Sequence, residues 1–178
     1  MSRALLFSLF ILLLSPRANA QKHDDLVHRS CLHATYPEIC VRSLSCHGSA
    51  ATPRELAQLA VKVSLSRVRK ASHFLSQIKG SGRREQGALS DCVEQMGDSV
   101  EELSKTLTAL QRLRHDADFR WQMSNAETWV SAALANEDTC LDGFKEMDGQ
   151  IRSDVRRKIT NVARVTSNAL YLINLIDD

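Results

Sequence analysis

The sequence predicts an all-α fold, an antiparallel up-down-up-down four-helix bundle with an N-terminal helical hairpin and two disulfides. Three observations point there. In two long segments apolar residues recur at alternating steps of four and three, the spacing that lines one face of a helix. Only three prolines, seven glycines and 5% aromatic residues occur in 178 residues, which suits helices better than a strand-rich sandwich. Five cysteines lie where bridges would tie such helices together.

The first segment is not part of the bundle. Arg3 precedes the apolar run "ALLFSLFILLLS", and Pro16 and the small-residue pattern "ANA" follow it. This is the order of a secretory signal peptide, expected to span 1–20 with cleavage before Gln21. A run of about a dozen apolar residues is short for a bilayer span, which needs roughly 20. Residues 21–178 are then one domain, with no membrane segment after cleavage. Cleavage removes Arg3 and Arg17 and no acidic residue, so 23 basic against 21 acidic residues becomes 21 against 21. A balanced chain offers no basic footprint for nucleic acid.

In an oxidising compartment five cysteines suggest two bridges and one thiol, with fifteen pairings open before geometry is considered. On one continuous helix Cys31 and Cys40 would stand about 13 Å apart, too far for a bridge whose Cα atoms are ~6 Å apart. Pro37 disfavours helical geometry at Tyr36 and supplies the turn. Residues 24–45 therefore form a small helical hairpin stapled by Cys31/Cys40, and Cys46 is left as a shielded or incidental thiol.

The next helix starts at "TPRE", with Thr52 as N-cap, Pro53 in the first helical position and Glu55 three residues after the cap. It carries Ala57, Val61, Val68, Ala71, Leu75 and Ile78 on one face and should stop at "GSG", 80–82. A third helix at about 88–113 presents Leu89, Val93, Met96, Val100, Leu103, Leu107 and Leu110. It turns back through "RHDADFRWQ", 114–122, into a helix at about 126–144. The last helix shows Val155, Ile159, Val162, Thr166, Ala169, Ile173 and Ile176. Cys92 lies some 20 residues before the turn and Cys140 some 17 after it, so at roughly 1.5 Å per residue they reach similar heights. Cys92/Cys140 is the natural clasp.

Four segments also carry a family resemblance. They are "CLHATYPEIC" followed by Leu44, "ALSDCVEQMGDSVEEL" at 88–103, "TWVSAALANEDTCLDGF" at 128–144 and "VTSNALYLI" at 165–173. In this order they resemble the plant invertase/pectin methylesterase inhibitor family over nearly all of residues 21–178. The resemblance implies the same bundle, hairpin and two bridges, with Cys46 outside the four-cysteine pattern. The third segment looks more like the pectin methylesterase inhibitor branch. It implies a secreted protein of the apoplast or cell wall that binds a plant pectin methylesterase 1:1 and blocks its pectin-binding cleft sterically, without a cofactor. An inhibitor of acid invertase, in the wall or vacuole, is the alternative within the family. A non-inhibitory pro-region of a pectin methylesterase is the alternative from another class, and it calls for a catalytic domain beyond Asp178. In the inhibitors the T-C-x-D motif places a threonine and an aspartate beside the clasp and near the enzyme contact; here these are Thr139 and Asp142.

Catalytic and metal chemistry find little support. There is no G-x-S-x-G elbow and no strand-rich repeat, so no catalytic residue is assigned. His23, His28, Cys31 and His33 match no zinc spacing, and Cys31 already belongs to a bridge. His115 and Asp116 read as a solvated turn. The basic runs "RVRK" at 67–70 and "RRK" at 156–158 read as solvated helix faces, with an attraction to acidic pectin as a secondary function.

Overall fold

The computed structural model describes residues 21–114 and 116–176, so the expected leader and His115 lie outside the described residues. Six helices follow one another: α1 (residues 21–31), α2 (Pro37–Leu44), α3 (Pro53–Ser76), α4 (Arg83–Arg112), α5 (Phe119–Asp142) and α6 (Gln150–Ile173). No strand occurs among the described residues. Helices α3 to α6 pack each on the next, and α6 closes the ring on α3. The α4/α5 side and the α3/α6 side are therefore opposite faces of the bundle, which matters for what each can bind.

The start of α3 follows the sequence with one change. The Thr52 hydroxyl accepts from the Glu55 N–H at 3.2 Å. The Glu55 carboxylate, however, accepts from the Ala51 N–H at 2.7 Å, one residue before the usual return of a capping box. The end differs more. The helix stops at Ser76 rather than at 80–82, and Gly82 instead caps the start of α4. Gly80 is held by a tight approach, since a Cβ there would lie 2.5 Å from the Gln86 nitrogen.

Helix α4 buries a wider stripe than its apolar residues suggest. Leu89, Met96, Leu103 and Leu110 are buried as expected, and Val93, Val100 and Leu107 pack half-buried against the core, but the fully buried places beside them go to Cys92, Ser99 and Thr106. These three recur every seven residues and meet α5 in antiparallel register. Cys92 bridges Cys140, the Ser99 hydroxyl donates to the Ala133 carbonyl at 3.1 Å, and the Thr106 hydroxyl contacts the Ala126 carbonyl at 3.4 Å. Seven-residue recurrence keeps one seam facing its partner along the length of two helices. Ala126 and Ala133 are fully buried in it, whereas Ala132 is half-buried and Ala135 exposed.

The turn between α4 and α5 is shorter than the expected 114–122, because α5 begins at Phe119, which is buried. The Asp116 carboxylate accepts from the Asp118 N–H at 3.1 Å and sets up that start. The preceding helix end is closed from α3: Arg54 Nε and Gln58 Nε2 both donate to the Leu110 carbonyl at 2.9 Å. A guanidinium at the carbonyl end of a helix satisfies orphan acceptors and opposes the local negative potential. Six of the seven expected positions lie on α6 and are buried, while Ile176 lies past the helix end at Ile173 and packs against the core's edge.

The hairpin is closed by Cys31–Cys40, with Cα atoms 5.6 Å apart. It leans on α6 and α3. The Asn168 side chain accepts from the Tyr36 N–H at 3.0 Å and donates to the Tyr36 carbonyl at 2.9 Å, while Arg164 lies over the Tyr36 ring. His23 accepts from the Ala50 N–H at 2.9 Å, which gives that histidine a structural duty. Among the described residues no group of three His, Cys, Asp or Glu side chains could hold a metal. Cys46 is exposed rather than shielded, because the chain leaves α2 just before it. Native protein should therefore take up one equivalent of a thiol reagent without denaturant, and mass mapping should place it on Cys46.

Candidate functional site

Thr139 and Asp142 stand on the last turn of α5 and both are exposed. With Ala88, Asp91, Glu94 and Gln95 of α4 they line a shallow groove of about 460 Å³ over the Cys92–Cys140 bridge. The Thr139 hydroxyl donates to the Ala135 carbonyl at 2.8 Å, leaving its oxygen free to accept. The Asp142 carboxylate makes no hydrogen bond or ion pair among the described residues, and Gly143 is the C-cap. A negative charge at the carbonyl end of a helix opposes the macrodipole, so Asp142 does not cap or stabilise α5. The groove adds Asp91 and Glu94 nearby. A cluster of exposed carboxylates gains most from a partner that brings a donor or a cation.

The helix face that carries Thr139 extends beyond this groove. Trp121, Asn125, Trp129, Ala132, Asn136 and Thr139 follow one another by steps of four, four, three, four and three, which keeps them on one face of α5. This face runs for roughly 27 Å at 1.5 Å per residue. At its far end a second hollow of about 570 Å³ is lined by Trp121 and Trp129 with Lys105, Thr108 and Arg112 of α4. Trp121 is 69% exposed and is one of two large apolar side chains left in solvent among the described residues, Leu32 being the other. Sequence reasoning missed it because residue 121 fell in the expected turn. The one available signal was its eight-residue spacing from Trp129.

Behind this face, Glu137 points into the core. It is fully buried, and its Oε1 accepts from the Thr166 hydroxyl of α6 at 2.9 Å. Its Oε2 has no hydrogen-bond partner among the described residues. Burial pushes the carboxyl up to about 8; the Thr166 hydrogen bond pulls it down and the neighbouring Asp138 charge pushes it further up. Nothing in "ANEDTC" distinguishes Glu137 from Asp138 except the register of the helix.

The order of helices, the two bridges and the α4/α5 face can be compared with known proteins. The model of the plant invertase/pectin methylesterase inhibitor family matches residues 25–172. The chain belongs to that family. It is 51% identical over 165 residues to pectinesterase inhibitor 3 of Arabidopsis thaliana, covering 87% of this chain and 80% of the relative. It is 42% identical to the 21 kDa protein of Daucus carota, over 96% of this chain and 92% of that one. Among solved structures, a mutant form of a pectin methylesterase inhibitor from Arabidopsis superposes with a TM-score of 0.70 at 22% identity, over 83% of this chain and 94% of the other. At that identity the likeness speaks for the bundle alone. It is the relatives' sequences that carry the family assignment.

Proposed function

We propose that this chain is a secreted inhibitor of a pectin methylesterase, not an enzyme, and that it acts by laying its α4/α5 face across the esterase's pectin-binding cleft. The observation that carries this reading is the 51% identity to a pectinesterase inhibitor over most of both chains. The geometry supports it in three ways. The face is long and shallow rather than a closed pocket, as suits a protein surface. It has aromatic anchors at one end, a residue type enriched among binding hot spots, and at the other an unpaired carboxylate able to take a charge-assisted hydrogen bond. It rests on a disulfide-clasped helix pair, so little ordering is lost on binding. Inhibition is then steric, with no covalent step and one inhibitor per enzyme. The order of residues 1–20 supports delivery to the cell wall.

Titrating the mature protein against a pectin methylesterase and an acid invertase tests the reading. Stoichiometric loss of esterase activity with the invertase untouched is the expected result, and the reverse pattern overturns it. Asp142→Ala should weaken inhibition roughly tenfold or more, since a charged hydrogen bond at an interface is worth on the order of 1.5–3 kcal/mol. Trp121→Ala should do the same through lost aromatic packing. Neither should lower the melting temperature by more than a degree or two, because both side chains are exposed. Unchanged inhibition in Trp121→Ala and in a Thr139→Ala/Asp142→Ala variant would remove this face from the contact.

A further inference from the structure

The net charge of zero expected for residues 21–178 hides a division across the bundle. Helices α3 and α6 each carry five Lys or Arg against one acidic residue. Helix α4 carries six acidic residues against four basic ones, and α5 four against one. The two basic runs that looked like separate solvated faces, 67–70 and 156–158, come together. Arg67 and Lys70 of α3 and Arg157, Lys158 and Asn161 of α6 line one open groove of about 420 Å³ floored by Ala71 and Val162. It occupies the half of the α3/α6 side nearer the C-terminus of α3. The hairpin covers the other half, where Tyr36 meets Asn168.

Two of the cations are spoken for and two are not. Arg67 donates to the Asn161 side chain at 2.6 Å, and Arg157 pairs with Asp154 at 2.7 Å. Lys158 rests its ammonium over the Phe74 ring at 4.9 Å, a contact that leaves its N–H donors open to solvent. Lys70 is exposed and has no ion pair among the described residues. The groove thus presents preplaced positive charge with little internal neutralisation, on the side opposite the proposed enzyme contact.

We infer that this groove binds a polyuronate, a polysaccharide chain bearing free carboxylates, while the α4/α5 face remains available to the esterase. This rests on the proposed function for the identity of the polymer: hydrolysis of a uronate methyl ester releases methanol and a proton and leaves a carboxylate on the chain. The reaction the inhibitor restrains therefore makes the ligand that holds it in place. An open groove suits an extended polymer better than a compact anion. A lipid surface would call for exposed apolar anchors beside the basic residues, and the large exposed ones among the described residues, Leu32 and Trp121, lie elsewhere. Single-stranded nucleic acid would call for aromatic stacking platforms in the groove, and its lining contains no aromatic residue.

The test measures binding of mature protein to de-esterified polygalacturonate and to the fully methyl-esterified chain, with no enzyme present, in low salt and again near 0.15 M salt, where the Debye length is about 8 Å. Binding is expected for the de-esterified chain alone, weakening as salt rises. A Lys70→Glu/Lys158→Glu variant should lose roughly tenfold or more in affinity, and Lys70→Gln/Lys158→Gln should lose less, with helical circular dichroism and esterase inhibition unchanged in both. Equal binding to the esterified chain overturns the inference. So does full binding by both variants, or tighter binding of wild type to duplex DNA or anionic vesicles at the same salt. Because the polymer is assayed without enzyme, a protein that fails to inhibit the esterase can still pass, and the two readings fail separately.

Discussion

Replacing Cys92 and Cys140 together by alanine should lower the unfolding free energy by about 4 kcal/mol, the loop-entropy estimate for a bridge of this span. The bridge closes 48 residues of chain and joins Cα atoms 4.5 Å apart, so most of its effect lies in the unfolded state, which it keeps compact. Removing it should therefore expand the denatured ensemble and raise the urea m-value as well as lower the midpoint. The native helices should still pair, since Ser99 and Thr106 keep their contacts to the α5 backbone at 3.1 and 3.4 Å. Hydrogen exchange should speed most in the last turn of α5, where Thr139 and Asp142 flank the lost clasp. Against a typical domain stability of about 5–15 kcal/mol, the loss is large enough to read in one denaturation curve. A variant with the parent's midpoint and m-value would show that the seam, not the bridge, holds α4 to α5.

The helices and bridges were legible in the sequence because they depend on periodicity and on chain reach, both of which are local or nearly so. The α6 stripe came through almost intact for that reason. The α4 stripe came through at four of its seven positions and fell one residue aside at the other three: Val93, Val100 and Leu107 are more apolar than Cys92, Ser99 and Thr106, yet they are only half-buried beside them, because α5 offers Ala126 and Ala133 opposite the smaller residues. Close approach selects size over hydrophobicity, and only the partner helix reveals that choice. The start of α5 was missed because "RHDADF" looks like a polar turn until Phe119 is seen to be buried. Thr139 and Asp142 entered as contact candidates through the T-C-x-D pattern, whereas the exposure of Trp121 was hidden with the helix start. The charge division was hidden by its own balance, since a sum over the chain cannot show which helices face each other.

Glu137 sets the second large effect, and its sign follows from burial. Its folded pKa of about 8 stands above the ordinary 4.5, so the native state keeps a proton there that the unfolded chain gives up. Below pH 4.5 the residue is protonated in both states and costs nothing through titration. As pH rises from 4.5 towards 8 the unfolded state is increasingly favoured, and above 8 the full penalty stands. Wild type should lose on the order of 4 kcal/mol across that window from this group. Glu137→Gln keeps the shape and the contact with Thr166 but cannot ionise, so its stability should run flatter over the same range and exceed wild type at pH 8. The amide brings its own buried polar atoms, a cost that does not vary with pH. The difference in slope between the two proteins, rather than either absolute value, is therefore the quantity to read, and it cancels the histidines common to both. Glu137→Ala separates packing from charge: it should lower stability at pH 4.5, where the carboxyl is neutral, by leaving a cavity between α5 and α6. Urea unfolding of all three at pH 4.5, 6 and 8 decides the matter. Parallel curves for wild type and Glu137→Gln would mean that the buried carboxyl is not the source of the alkaline loss.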